Sequence, residues 1–192
     1  MNKRVAIYCG ANPGYDPAIV DEVKTMADRL SRKGWGLVFG GGKVGLMGIV
    51  ADVFLANRAE VVGVIPEFMV PRELAHPGAT QMLVVESMHD RKREMTEMSD
   101  AVIILPGGFG TMDELFETLT WAQLRLISRP IVIYNINGFY NPLRDMLDKM
   151  VANGFLKPAN RDMLKLVSDI PNLLTEIEKS PPEAVDKWYD KI

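Results

Sequence analysis

Ala101-Val102-Ile103-Ile104-Leu105-Pro106-Gly107-Gly108-Phe109-Gly110-Thr111-Met112-Asp113-Glu114 is the stretch that decides how this chain folds. Its first five residues are apolar without interruption, the pattern of a strand buried on both faces. The residues after it, Leu115-Phe116-Glu117-Thr118-Leu119-Thr120-Trp121, read as a helix. Between them lies a glycine-rich turn. A turn of this kind lets backbone N–H groups crowd around an anion, and the helix N-terminus adds a favourable dipole. The stretch therefore reads as strand, phosphate cradle, helix. Glu114 falls one helical turn past the cradle, where its charge would repel a phosphate. It must face something else, such as a ribose hydroxyl or a reacting carbon.

The same alternation runs along the whole chain. Val5 to Cys9 is strand-like and ends in the turn Gly10-Ala11-Asn12-Pro13-Gly14. A helix is predicted from about Pro17 to Lys33, with Asp16 as N-cap, Pro17 at the first helical position and Gly34 as stop. Gly36 to Phe39 is a second strand. Gly40 to Gly45 turns into a helix from about Leu46 to Asn57, and Glu60 to Ile65 is a third strand. Pro66 to Ala79 reads as an irregular loop. Gln81 to Glu86 is a fourth strand, followed by a charged helix from about His89 to Met98. Ala101 to Leu105 is the fifth strand, and the helix after it runs to about Ile127. Pro130 to Tyr134 is a sixth strand. Helical patterns recur at Pro142 to Asn153 and Pro171 to Lys179, and Leu164 to Val167 is a candidate last strand at the sheet edge. Strands alternating with helices imply parallel pairing and right-handed crossovers, hence an α/β, doubly wound, Rossmann-like sheet flanked by helices. In such sheets ligands bind beyond the carboxyl ends of the strands. The turns after Cys9, Phe39 and Leu105 all belong to that edge. The expected organisation is a single domain over residues 1–180 with a tail at 181–192, where Trp188 and Tyr189 are available for docking.

Bulk properties narrow the function classes. A chain of 192 residues supports a substantial core. With 47% hydrophobic and 24% charged residues it reads as a soluble globular protein. A net charge of −3 gives no electrostatic reason to expect nucleic acid or an anionic membrane as partner. No apolar run reaches the length of a membrane span. Cys9 is the only cysteine, which excludes an intrachain disulfide and fits a reducing compartment, so a cytoplasmic location is expected. With two histidines, His76 and His89, a zinc site of the usual ligand types is not expected.

Gly40-Gly41-Gly42-Lys43-Val44-Gly45 contains a dinucleotide-type spacing at Gly40, Gly42 and Gly45, but equally suits a tight turn that packs a helix against the sheet. It is not a Walker loop, since no Gly-Lys-Ser/Thr follows. The charged helix, Met88-His89-Asp90-Arg91-Lys92-Arg93-Glu94-Met95, reads either as a solvated face or as a source of cations for the cleft. It begins at the carboxyl end of a strand, and arginine there suits bidentate work on phosphate or ribose oxygens. His89 reads as a cap or packing residue rather than a general base. Glu114, Glu117 and Thr120 share one side of their helix, with a polar outer face as the plain alternative. Methionines are core by default, although Met88 can border a base pocket.

Taken together, these residues resemble the LONELY GUY (LOG) family, the cytokinin riboside 5′-monophosphate phosphoribohydrolases, many of which were once labelled lysine decarboxylases. The resemblance rests on Pro106-Gly107-Gly108-x-Gly110-Thr111-x-x-Glu114 together with Met88-His89-x-Arg91-Lys92. It extends to Cys9-Gly10, Gly40 to Gly48, Val64-Ile65-Pro66, Pro71-Arg72-Glu73, Thr120 to Gln123 and Asn137 to Tyr140. It departs at Ala11-Asn12, where many members carry two serines, so a phosphate contact from a serine hydroxyl is either missing here or comes from Asn12. The resemblance implies cleavage of the N-glycosidic bond of a purine nucleoside 5′-monophosphate, giving free base and ribose 5-phosphate, with an N6-modified AMP as the family's substrate and plain AMP as the alternative the sequence leaves open. Arg91 and Glu114 would be the catalytic pair. The backbone of Gly107, Gly108, Phe109, Gly110 and Thr111, with the Thr111 hydroxyl, would hold the phosphate, helped by Gly42 and Gly45 of the second glycine turn. Glu73, Lys92 and Thr120 would be further substrate contacts. No cofactor or metal is implied, and a homodimer is. The competing expectation is a carrier of molybdenum cofactor or nucleotide with the same fold and no catalysis. Pairing of Arg91 with Glu114 would tell the two apart.

Overall fold

The computed structural model describes residues 3–70 and 75–180. Glu73 with its neighbours Pro71 and Arg72, and the tail with Trp188 and Tyr189, lie outside the described residues. The strands are β1 (Arg4–Tyr8), β2 (Gly36–Phe39), β3 (Val61–Pro66), β4 (Gln81–Val85), β5 (Ala101–Ile104), β6 (Ile131–Tyr134) and β7 (Leu164–Val167). The helices are α1 (Pro17–Arg32), α2 (Gly45–Ala56), α3 (Met88–Glu97), α4 (Phe109–Gln123), α5 (Asn141–Ala152), the single turn α6 (Pro158–Arg161) and α7 (Ile170–Glu176). Short 3-10 turns occupy Glu67–Met69, inside the loop predicted to be irregular, and Ile136–Gly138.

All pairings are parallel, in the order β4-β3-β2-β1-β5-β6-β7. β1 is the central strand, and the winding reverses on either side of it, so the crevice opens between β1 and β5. The edge strand expected at Leu164 to Val167 is β7, paired with β6.

Side chains on β1 show how the sheet divides the core. Val5, Ile7 and Cys9 join one apolar cluster with α1, α2 and α7. Ala6 and Tyr8 point the other way and join a second cluster with Met95 of α3, Leu115 of α4 and Leu147 of α5. This is the period-two alternation of a strand covered on both faces.

Local chemistry sets the ends of the helices. Asp16 Oδ1 accepts the Ala18 N–H at 2.9 Å and Pro17 opens α1, as its sequence predicts. Gly34, at φ 87°, ends it, with Trp35 N–H bonded to Leu30 O at 3.2 Å. α4 was expected to reach Ile127 but stops at Gln123. There Arg125 takes φ 58°, its N–H bonds to Ala122 O, and Leu126 N–H reaches back to Trp121 O at 2.9 Å. This is a Schellman closure without the usual glycine. α2 closes in the same way at Arg58, φ 57°.

Candidate active site

Three turns meet at the carboxyl edge of the sheet because glycine lets their backbones touch. Gly10 N–H donates to Pro106 O at 3.0 Å, joining the β1 and β5 turns, and Leu46 N–H donates to Gly10 O at 3.1 Å, joining the β1 and β2 turns. Gly45 sits at φ +62° against Ala11, where a Cβ would overlap the Ala11 carbonyl carbon. Glycine is needed there for both conformation and contact.

Between these turns lies a cleft of about 510 Å³, within the usual range for small-molecule sites. At one end Gly108 caps α4 with extended backbone and no side-chain hydrogen bond. The N–H groups of the first helical turn have no partner within the helix and point past its end. A Cβ on Gly108 or Gly110 would meet nothing within 4 Å, whereas one on Gly107 would overlap Thr111 Oγ1. The Thr111 side chain is thereby seated under the turn, and the residue is 3% exposed.

Arg91 and Glu114 face each other in the wall beside this helix end. They are 5% and 7% exposed, and Arg91 Nη1 lies 3.8 Å from Glu114 Oε1. That separation is electrostatic contact but too long for a hydrogen bond. Backbone anchors the guanidinium: Nε donates to Val64 O at 3.2 Å and Nη2 to Gly40 O at 3.0 Å. A Cβ on Gly40 would overlap Nη2. Arg91 is thus laid across the carboxyl ends of β2 and β3 with Nη1 left toward the acid. Below the pair, burial and then the Glu114 charge push the Tyr8 hydroxyl and the Cys9 thiol well above their ordinary pKa values. Both stay protonated and leave Glu114 as the acidic group of this corner. Met47, Met69, Met88, Ile19 and Phe139 add apolar lining, with Met88 Sδ 3.9 Å from Arg91 Nη1.

Most of the residues expected from sequence converge here: Arg91, Glu114, Gly107, Gly108, Gly110, Thr111 and Met88 all line the cleft. Others are placed elsewhere. The Phe109 side chain is solvent-exposed, so only its backbone addresses the cradle. Gly42 bridges Ala75 and Gly45 supports Ala11, both behind the lining. Lys92 is turned to Asp113 and Glu117. Thr120 is exposed, its hydroxyl donating to Phe116 O, and it borders a separate groove with Leu119 and Gln123. Helical geometry explains the last placement. Steps of three advance the helix by about 300°, so Glu117 is rotated roughly 60° and Thr120 roughly 120° from Glu114. His89 is not the helix cap either: Ser87 caps α3, accepting the Asp90 N–H at 3.1 Å. The His89 ring instead meets Trp121 edge-on. Ile19, Met69 and Phe139 line the cleft without having been singled out as site residues, and of these only Phe139 carried a signal, in Asn137 to Tyr140; Asn12, offered by the sequence in place of a serine, lines it too. Among the described residues no cluster of three His, Cys, Asp or Glu side chains is arranged to hold a metal ion.

Comparison with known proteins adds to this geometry. Residues 47–177 match the family described as "Possible lysine decarboxylase". The chain is 38% identical over 181 residues to a rice (Oryza sativa subsp. japonica) protein named probable cytokinin riboside 5′-monophosphate phosphoribohydrolase LOGL2, covering 94% of this chain and 74% of the relative. It is 36% identical over 180 residues to the Arabidopsis thaliana cytokinin riboside 5′-monophosphate phosphoribohydrolase LOG3, covering 94% and 84%. Among solved structures, the molybdenum cofactor carrier protein of Chlamydomonas reinhardtii superimposes with a TM-score of 0.69 at 14% identity, covering 91% and 95%. The molybdenum cofactor binding protein of Rippkaea orientalis gives 0.67 at 16% identity, covering 91% and 94%. At such identities these structures share the fold alone.

Proposed function

Because the chain belongs to the LONELY GUY family of cytokinin riboside 5′-monophosphate phosphoribohydrolases, we propose that it hydrolyses the N-glycosidic bond of a purine nucleoside 5′-monophosphate carrying an N6-modified adenine. The products are the free base and ribose 5-phosphate. The observation that carries this reading is the buried Arg91–Glu114 pair set beside the uncapped N-terminus of α4.

In this reading the 5′-phosphate lies on the N–H groups from Gly107 to Thr111, and the ribose lies over Glu114. As the C1′–N9 bond breaks, its electrons leave with the base and positive charge builds on the sugar ring, as in glycoside hydrolysis. The ionised Glu114 carboxylate stabilises that charge and orients or deprotonates the water that adds to C1′. Arg91, fixed by two carbonyls, holds Glu114 and the ribose oxygens in register. Holding the remote phosphate supplies binding energy that positions the reacting carbon. The methionine-lined wall suits the apolar face of a base. A carrier of the same fold has no need of a buried carboxylate facing the sugar. Decarboxylation through a lysine Schiff base finds no lysine lining the cleft among the described residues. The assembly proposed is a homodimer in the cytoplasm. Phe116, exposed on α4, and Leu124, just past its end, offer apolar surface to a second copy.

The test is release of free base from AMP, GMP, CMP and isopentenyl-AMP in parallel. Glu114→Gln should abolish turnover while nucleotide still binds, and Arg91→Ala should lose both. AMP should far exceed adenosine in kcat/KM. Equal kcat/KM for the two, or hydrolysis retained by Glu114→Gln, would overturn the assignment.

A further inference from the structure

α3 carries Arg91 and α4 carries Glu114, and the side chains next to this pair are tied across the same gap. Lys92, beside Arg91, brings its ammonium to 2.9 Å from Asp113 Oδ2 and 2.7 Å from Glu117 Oε2. Those two acids bracket Glu114 on α4. The Lys92 side chain is 12% exposed and takes no part in lining the cleft. Burial works against its charge, but Glu117 and Asp113 outweigh burial and hold its pKa above the ordinary lysine value. Its ammonium is therefore charged at neutral pH. Glu117 Oε2 is itself shut off from solvent, so this ammonium is the counter-charge that offsets its burial.

The other side of the gap is fixed independently. Arg91 is held by Val64 O and Gly40 O, and Thr96, one turn further along α3, meets the buried Tyr8 hydroxyl at 3.2 Å. α3 is therefore pinned to the sheet; Leu115 and Thr118, both buried, hold α4 to the same face, and what is left to set is how closely its Asp113–Glu117 side approaches α3. The geometry points to Lys92 as a positioning residue: by holding Asp113 and Glu117 it sets the separation of Arg91 and Glu114, and it touches no substrate. The inference rests on the hydrolase reading given above.

Without the ammonium, Asp113 and Glu117 repel each other and Glu114, and the first turns of α4 ease away from α3. Misplacement of about 1 Å in a reacting pair costs up to roughly a hundredfold in rate. In steady-state assays with AMP, Lys92→Met should lower kcat by about ten- to a hundredfold while KM changes by less than about threefold. Lys92→Arg, which can still bridge both acids, should recover most of the loss. Combining Lys92→Met with Asp113→Asn and Glu117→Gln should cost no more than the lysine change alone, since all three break one interaction. If KM rises with kcat intact and the preference for AMP over adenosine falls, Lys92 is a substrate contact and the inference is wrong. Unchanged kinetics would overturn it too. Should Lys92→Met fail to fold, Lys92→Arg and the Asp113→Asn/Glu117→Gln pair carry the same test. Failure of the wild-type protein to release base from any monophosphate would defeat the hydrolase reading instead. A crystal structure of Lys92→Met would then decide the positioning role. An Arg91–Glu114 separation lengthened from 3.8 Å upholds it and an unchanged one refutes it.

Discussion

Arg91 shows how much of a charged site depends on neighbours without side chains. Its guanidinium lies where a Cβ on Gly40 would be, so that glycine is part of the arginine's binding site. Gly40→Ala should displace the guanidinium from Gly40 O and lower kcat by about a hundredfold. The melting temperature should move far less than for a core truncation, because the shifted group is the far end of a flexible side chain. Activity and melting curves measured on the same preparation check this, and full activity would refute the packing argument. Glu114 was legible as out of place in a phosphate turn, and it is buried facing the arginine. Thr120 looked equivalent on a spacing of three. The helix turns about 100° per residue, so two steps of three residues leave the side chain roughly 120° round from Glu114 and off the cleft. Lys92 was legible as a cation near the site. The sequence could not show which way it turns, because its partners Asp113 and Glu117 are twenty or more residues away on another helix.

The turn and helix that form the cradle divide their glycines by role. Gly107 has no room for a side chain because Thr111 occupies the space, while Gly108 and Gly110 face the open cleft. Gly107→Ala should therefore disturb the fold locally and lower thermal stability. Gly108→Ala should fold normally and raise KM for the monophosphate, since its methyl group would stand in the open space proposed for the phosphate. Thermal melts and AMP kinetics on the two variants separate these effects, and indistinguishable behaviour would refute the division. At this scale the sequence is most readable where a specialised residue marks an end, as Asp16, Pro17 and Gly34 do for α1. It misleads where an arginine takes the left-handed place a glycine would fill. Arg125 and Arg58 both close helices in this way, which is why α4 looked four residues longer than it is. The turn α6 was missed because four residues are too few to show a period.

Across the whole molecule, burial lifts the pKa of Tyr8, Tyr140 and the Cys9 thiol, and burial with the hydrogen bond to Glu22 lifts that of Tyr134. In the unfolded chain these groups return to ordinary thiol and phenol values of about 8.5 and 10. Below those values both states keep their protons and the stability is complete. As pH climbs from there toward the raised native values, the unfolded state gives up protons first and stability is lost. Urea midpoints should therefore hold steady through neutrality and fall above about pH 9. Tyr8→Phe should shallow that fall, and a midpoint unchanged at pH 11 would refute the account. The sheet order has a different consequence. α3 is the connection that carries the chain from the edge strand β4 back to the centre at β5. The cation is therefore carried on the crossing itself and the acid on the helix after it. Any break in the chain between Arg91 and Glu114 would leave each piece with one member of the pair.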